Sequence, residues 1–338
     1  MLKAKEMNKS IRIIGMAAMV LLLAVSCKKE KQEESRRVTL TAGIESNTGK
    51  TYIYYNPNED DTGPFTCWNK GDEIMVNGNR MYMVGEPEQS VDHPEWYHSA
   101  TFQCDNWKGD VPGSKTTLYA IFPATEQEPY EDEQRNTCYK SRVTLPMEQT
   151  YIGDDDFMHN LPMGMSNKGT TINFHNLSNV YRLPVYAEND ITITKVVMRK
   201  NKVTSLDPIG SWLPDDLDIV GDIWYPHFGS ETQNIEIIGG NSHEITLNCK
   251  TENYPNGVTI SKSSAAPTIF SFAAFPVQLS AGIEFDFYKE GDTDGQPSYR
   301  ISKPVGSKID NNRIYELYKD GIDGNVYKLD AYPYTPDR

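Results

Sequence analysis

The chain has 338 residues and a formal charge of −14, with 33 Lys and Arg set against 47 Asp and Glu. An acidic chain of this kind lacks the basic footprint that nucleic acid or an anionic bilayer surface selects, so neither is expected as a partner. The length suits two domains of ordinary size.

The first element is an apolar run from Ile13 to Val25, thirteen residues long. A membrane-spanning helix needs roughly 20 residues, so this run is too short to be one. Lys3, Lys5, Lys9 and Arg12 precede it, and Ala24, Val25 and Ser26 lead to Cys27. A basic n-region, a short apolar core and small residues before a processing point are the marks of a secretory signal peptide. The Ala-Val-Ser-Cys ending resembles a bacterial lipobox, in which the cysteine thiol is lipidated and becomes the new N-terminus. An acylated cysteine holds a protein on a bilayer without a spanning helix, and Cys27 is read as that anchor. Loss of residues 1–26 would remove four positive charges and one negative charge, leaving −17. Residues 27–37, ending "KKEKQEESRR", carry no apolar side chain after Cys27 and read as a solvated tether.

Beyond the tether the pattern changes to short alternating strands. "RVTLTAGIE" puts Val38, Leu40, Ala42 and Ile44 on one face with a period of two. "KTYIYYN", "DEIMVNG", "NRMYMVG", "SATFQC", "TTLYAIFPA" and "KSRVTLP" follow in order, separated by Gly, Pro, Asn and Asp clusters. A polar, turn-rich stretch, "DDDFMHNLPMGMSNKGTT", places a boundary near Met165, which divides the chain into 38–165 and 166–338. The second part continues with "TTINFHN", "VYRLPVYAE", "DITITKVVMRKN", "IEIIGG", "HEITLNCK", "PTIFSFAAFPV", "GIEFDFYKEG" and "YRISK". Residues 205–233 contain Pro208, Pro214 and Pro226 and read as an insertion, and residues from Asn325 onward as a C-terminal tail. β-Branched and aromatic residues dominate these segments, and no apolar period of 3.6 is sustained. The expected fold class is all-β, two sandwiches in tandem.

The motifs of catalysis and metal binding fail on inspection. Gly49-Lys50-Thr51 follows a strand, but a P-loop needs four residues between its glycines, and Gly43 lies one residue too far back. The six histidines are scattered, and Pro94 between His93 and His98 prevents a helical zinc pair. Asp-Gly pairs in "GDTDGQ" and "DGIDGN" lack the order of a calcium loop and suit hairpin turns. No enzyme activity, metal or cofactor is expected. Besides Cys27 there are Cys67, Cys104, Cys138 and Cys249, which allow three pairings or buried free thiols.

An ordered series of segments carries a resemblance. "VTLTAGIE", "WNKGDEIMV", "ATF" and "LYAIFPA" come first, then "TTINFHNLSNVYRLPVY", "FSFAAFPV", "AGIEFDFYKEGDTDG" and "NNRIYEL". With the lipobox, this series resembles the fimbrillin family, the Mfa-like lipoproteins and type V pilins of Bacteroidetes-type bacteria. The resemblance covers most of the chain after the tether. It implies two transthyretin-like β-sandwich domains and a lipoprotein carried to the outer membrane surface, as a fimbrial subunit, anchor or accessory pilin. It further implies cleavage in the loop after the first strand, here at Lys50, since a cut at Arg37 leaves the strand Val38–Ile44 attached. The vacated groove would take a strand from another pilin subunit or a second copy, by β-augmentation. Val326, Leu329, Ala331 and Tyr332 make the C-terminal tail the candidate donor. The alternative is a glycan-binding outer-membrane lipoprotein, with Trp212, Trp224 and Tyr225 as aromatics that would stack on the sugars of a host glycan or meet a host protein.

The anchor generates a direct test. Changing Cys27 to Ser should release the protein from membranes or leave its signal uncleaved. Fatty-acid labelling and membrane fractionation of both forms check it, and an unlabelled wild type would refute lipidation.

Overall fold

The structure, a computed structural model, describes residues 36–44, 68–89, 97–132, 134–153, 161–201, 218–225, 236–275, 279, 282–303, 314–317 and 325–336. The signal peptide, Cys27 and the tether up to Ser35 lie outside the described residues, as do Lys50, Cys67 and Trp212. In chain order the first strands are β1 (Arg36–Ile44), β2 (Glu73–Val76), β3 (Asn79–Met83), β4 (Glu88–Gln89) and β5 (Tyr97–Trp107). Next come β6 (Thr117–Phe122), β7 (Gln127–Glu131), β8 (Thr137–Leu145), β9 (Glu148–Thr150), β10 (Met163–Lys168) and β11 (Thr171–Asn176). Then follow β12 (Asn179–Tyr186), β13 (Thr192–Ile193), β14 (Lys195–Lys200), β15 (Val220–Tyr225), β16 (Glu236–Ser242) and β17 (Glu244–Asn248). The last are β18 (Val258–Thr259), β19 (Thr268–Ala274), β20 (Ile283–Tyr288), β21 (Tyr299–Lys303), β22 (Ile314–Glu316) and β23 (Tyr327–Lys328), before a 3-10 turn at Leu329–Ala331. No α-helix occurs among the described residues, and the protein is all-β with a sandwich-type arrangement of sheets.

The alternation that marks these segments works locally as expected. In β17, Ile245 and Leu247 are buried while Glu244, Thr246 and Asn248 are half-exposed, the signature of a sheet with one face on a core. The β2–β3 hairpin turns on Asn77 and Gly78, both at positive φ (48° and 73°). A two-residue hairpin whose twist matches its strands needs that backbone at both centres, and Asn-Gly supplies it at least steric cost. The Asn77 side chain accepts from the Tyr119 amide at 2.7 Å and donates to the Thr117 carbonyl at 3.0 Å, which ties the turn to β6.

Sheet membership does not follow chain order. The first sheet runs β1-β11-β10-β6-β2-β3-β5-β4, and β1 also pairs with β5, so seven strands close into a ring. Closure removes open edges, which otherwise invite pairing with another chain. Residue 165 falls inside β10, and both β10 and β11 belong to this first sheet. Conversely β7 and β8 join β15 and β16 in a four-stranded sheet, and β9 closes the five-stranded sheet β21-β20-β14-β17-β9. The stretch read as an insertion contains β15, which is paired on both sides, by β8 and β16. A third sheet runs β19-β12-β22, with β23 also on β12.

Two apolar clusters follow from this. One is lined by β1, β2, β5, β6, β10 and β11 around Trp68, whose ring meets Phe102, Phe122 and Phe174 edge-on at 5.1, 5.3 and 5.4 Å between centroids. The other gathers Val143 and Leu145 of β8 with Leu183, Val196, Ile223, Leu247, Phe270 and Phe285. β6 serves both: Leu118, Ala120 and Phe122 enter the first cluster and Ile121 the second.

The five-stranded sheet carries a buried carboxylate on its other face. Asp286 is fully buried. It takes a two-pronged contact from Arg300 at 2.5 and 2.8 Å and a further hydrogen bond from Arg199, which also donates to Glu244 at 2.6 Å. One network thus stitches β17, β14, β20 and β21 in register. Removing one member of a buried ionic network leaves the other charges uncompensated and costs about 3–5 kcal/mol. Both arginines keep about a quarter of their surface in water, so Asp286→Ala should sit at the low end, about 3 kcal/mol, read as a fall in the denaturant midpoint with no change in slope.

Candidate functional site

The first strand, β1, is the element that the resemblance singles out as displaceable. In β1, Val38, Leu40 and Ala42 are 6, 2 and 0% exposed, whereas Thr39 and Thr41 face outward. The side chain of Ile44 lies outside the described residues, although its backbone pairs with Phe174. The strand runs parallel to β11, with Thr41 opposite Thr171, Ala42 opposite Ile172 and Gly43 opposite Asn173. Its second neighbour is β5.

A strand that is to be displaced is expected at or near a sheet edge, but β1 is paired on both flanks, by β11 and β5, which corrects that expectation. β1 closes the ring. Alternation reports which side chains are buried, but it is blind to how many neighbours the backbone has.

Beneath β1 lies the aromatic floor of Trp68, Phe102, Phe122 and Phe174. Burial of a Val or Leu side chain contributes roughly 1.5–3 kcal/mol, so two such side chains and Ala42 hold the strand chiefly by apolar contact. On the outer surface a polar clasp spans β1, β5 and β3. Arg37 donates to Asp105 at 3.0 Å, Gln103 donates to Asp105 at 2.8 Å, and the Tyr82 hydroxyl donates to the same carboxylate. The hydrogen bond from Tyr82 holds the Asp105 carboxyl below its usual range and pushes the Tyr82 phenol up. Arg37 and Asp105 are exposed, and exposed pairs contribute little, so the clasp fixes register more than it adds stability. It also engages Arg37, one of the two candidate processing residues. Sequence reasoning missed the clasp, because outward polar residues on alternating strands look merely solvated.

The candidate donor tail is docked on its own chain. Val326 and Leu329 are buried, Tyr332 packs against the larger core, and Ala331 is exposed. β23 runs parallel to β12, with Tyr327 opposite Val185 and Lys328 opposite Tyr186. Further on, Pro333 bridges to Tyr299 of β21.

The aromatic pair has other neighbours than a ligand. Trp224 is 9% exposed, and the Lys140 ammonium lies 4.7 Å above its ring centroid. Such a contact is a cation–π interaction, so that ring face has an occupant. Tyr225 packs against the core.

Cys104, Cys138 and Cys249 are free and buried. Burial pushes the Cys249 thiol up to about 12, which suppresses the thiolate that oxidation requires. Among the described residues no three His, Cys, Asp or Glu side chains gather closely enough to hold a metal ion. In "GDTDGQ", Asp292 accepts from the Lys289 amide at 2.8 Å and from Ser298 at 2.6 Å, and Asp294 pairs with Lys195. These carboxylates are the fittings of a turn.

No protein-family model matches the chain, and no curated protein does. Among solved structures it is similar to a protein of Bacteroides ovatus provisionally described as a cell adhesion protein. The identity is 11% and the TM-score 0.40, over 84% of this chain and 92% of that one. A Bacteroides uniformis protein with the same provisional description gives 12% identity and a TM-score of 0.37, over 84% and 95%. At that depth neither assigns a fold or a function to this chain.

The seat of β1 makes a paired test. Leu40→Ala should destabilise the chain by about 3 kcal/mol, the usual loss for emptying a packed leucine site. Thr39→Ala, one residue away on the outer face, should stay within about 0.5 kcal/mol. Equal effects of the two in denaturant unfolding would show that β1 is not seated by its alternate side chains.

Proposed function

We propose that this chain is a cell-surface lipoprotein of the fimbrillin type, a structural or adhesive subunit that accepts a neighbour's strand in the seat of β1. The observation that carries this reading is the placement of β1. It is a complete strand, directly after the tether, inserted between β5 and β11, with three buried side chains and no disulfide among the described cysteines to retain it. Were the chain cut between β1 and β2, only non-covalent contacts would hold the strand in the ring. Its departure would leave two rows of unpaired backbone groups and three apolar pockets, which is the receptor that β-augmentation requires. Because Cys27 stands on the N-terminal side of β1, it would hold the uncut chain at the outer membrane, and the cut that opens the receptor would also free the chain from that anchor. The glycan-binding alternative has less support, because Trp224 is buried under Lys140.

The experiment is a controlled cut. A specific protease site replaces residues 46–50, the purified protein is cleaved, and the freed strand is washed out at mild denaturant. A fluorescent peptide of residues 36–45 should then bind the clipped protein and restore its unfolding midpoint, whereas a peptide with Leu40 and Ala42 changed to Asp should not. A clipped protein that binds neither peptide, or binds both equally, refutes the strand-acceptor reading.

A further inference from the structure

The opposite end of the chain is held in a different manner, and the difference bears on what the subunit can give to a neighbour. β22 lies parallel to the first half of β12, with Ile314, Tyr315 and Glu316 opposite Val180, Tyr181 and Arg182. β23 lies parallel to the second half of the same strand. The chain then crosses to a different sheet. The Arg300 amide donates to the Tyr332 carbonyl at 3.0 Å, and the Tyr334 amide donates to the Ser298 carbonyl at 3.0 Å, so residues 332–334 line the edge of β21.

Side chains fasten the crossing between these two sheets. The Asp330 carboxylate accepts from the amides of Glu188 and Asn189 at 3.1 and 3.4 Å, and from the Asn189 side chain at 3.0 Å. Lys328 pairs with Glu188 at 2.7 Å. The rings of Tyr327 and Tyr332 meet edge-on at 5.8 Å, and the Arg300 guanidinium lies 4.7 Å over Tyr334. Arg300 is also the residue that grips buried Asp286, so the tail's aromatic end rests on the network that registers the five-stranded sheet. Leu329, at 0% exposed, is as deeply buried as any core residue.

We infer that residues 325–336 form a permanent strap of their own chain, so that in any strand-exchanged array this subunit receives a neighbour's strand and supplies none. To donate, the segment would have to leave β12 and β21 together, exposing Tyr327 and Leu329 and opening the edge of β21. A donor needs a strand whose departure leaves its own domain intact, and this one closes two sheets. Such a chain occupies one end of an assembly. The inference rests on the strand-acceptor reading above for the word "receives", but its claim about the tail is tested separately.

Hydrogen exchange on the detergent-purified full chain is the first measurement. The amides of Arg300, Tyr332 and Tyr334 should exchange within about tenfold of those in β20, as expected when one cooperative unit opens together. Exchange about a hundredfold faster than β20 would mark a detachable tail and overturn the inference. Removal of residues 325–338 should lower the unfolding midpoint or prevent folding, and an unchanged midpoint counts against the strap. Because that truncation is severe, Asp330→Ala gives a milder test, with exchange accelerated about tenfold at Tyr332 and Tyr334 if the carboxylate fastens the crossing. Exchange left unchanged by Asp330→Ala would overturn that role. Sizing of the protease-clipped protein then separates the two proposals. A clipped chain that binds the strand peptide but stays monomeric supports both. Oligomers that vanish when residues 325–338 are deleted would overturn the strap and leave the acceptor reading standing. Failure of peptide binding alongside protected tail amides would do the reverse.

Discussion

Everything else in this fold depends on β6 having no solvent face. Five of its six residues are buried, because alternate side chains enter different cores. Leu118, Ala120 and Phe122 stand on the Trp68 side, while Ile121 faces the larger cluster and Tyr119 lies against Cys138 of β8, its hydroxyl donating to the thiol at 3.2 Å. A strand of this kind cannot belong to one half of the chain only. It acts as a common wall, and at Tyr119 its backbone meets both the Asn77 side chain of the β2–β3 turn and the Gln127 amide of β7, while the Gly78 amide donates to Gln127 in turn. The early strands β7, β8 and β9 can then leave the ring and join sheets built from later sequence without leaving an apolar gap behind them. Their crossing explains why sheet membership and chain order disagree.

Buried polar groups decide which of several similar sheets each strand enters. Apolar alternation makes many pairings nearly equivalent, since it specifies a face and not a partner. Asp286 breaks the equivalence in the five-stranded sheet, because only one register lets Arg199 and Arg300 reach it together. Gln149 does so between sheets: its amide donates to the Ala273 carbonyl at 2.7 Å and accepts from the Ala273 amide at 2.9 Å, so it mimics a strand's backbone at the edge of β19. Asn79 does likewise in the ring, with its amide joined to the backbone of Lys108 in both directions. Each such group is costly if its partner is absent, which gives the correct topology an advantage that apolar contact alone does not. The same interiors enclose three thiols, so residence in an oxidising compartment need not cross-link them.

Legibility in the sequence followed from whether the deciding interaction was local. β1, β17, β19 and β20 are read directly from alternation or apolar runs, and the all-β class from their sum. β7, with sequence QEPYE, is not, since it is an outer strand with three of its five residues exposed and a proline that an edge tolerates. β10, with sequence MGMSNK, resembles a linker because Gly164 and Asn167 sit among its buried methionines, so the polar residues near 165 read as a boundary. β15 hides among prolines on either side, although Ile223 and Trp224 are buried in it. In the site, the inward positions of Val38, Leu40 and Ala42 were legible. The closure of β1 against β5 and the Asp105 clasp were not, since each joins residues about seventy positions apart and leaves no periodic trace.

Under the strand-acceptor proposal, β1 is the exchangeable element and residues 325–336 the fixed one. Both are short and paired to strands from elsewhere in the chain, but only β1 is apolar on strictly alternate positions, whereas Val326, Tyr327 and Leu329 are buried without that period. β1 is held within a single sheet and a single core, by side chains that any strand of similar pattern could replace, and among the described residues its side-chain polar contact, Arg37 to Asp105, lies at the exposed surface. Its seat is therefore generic, which is the requirement for accepting a strand from another molecule. The C-terminal segment spans two sheets, turns through a 3-10 bend, and uses a carboxylate, a lysine and two tyrosines against partners at fixed positions. Non-periodic contacts of that kind cannot be met by a foreign strand, nor offered to a foreign groove without being lost. Specificity spread over unlike contacts makes an element permanent, whereas repetition of one apolar period makes it interchangeable.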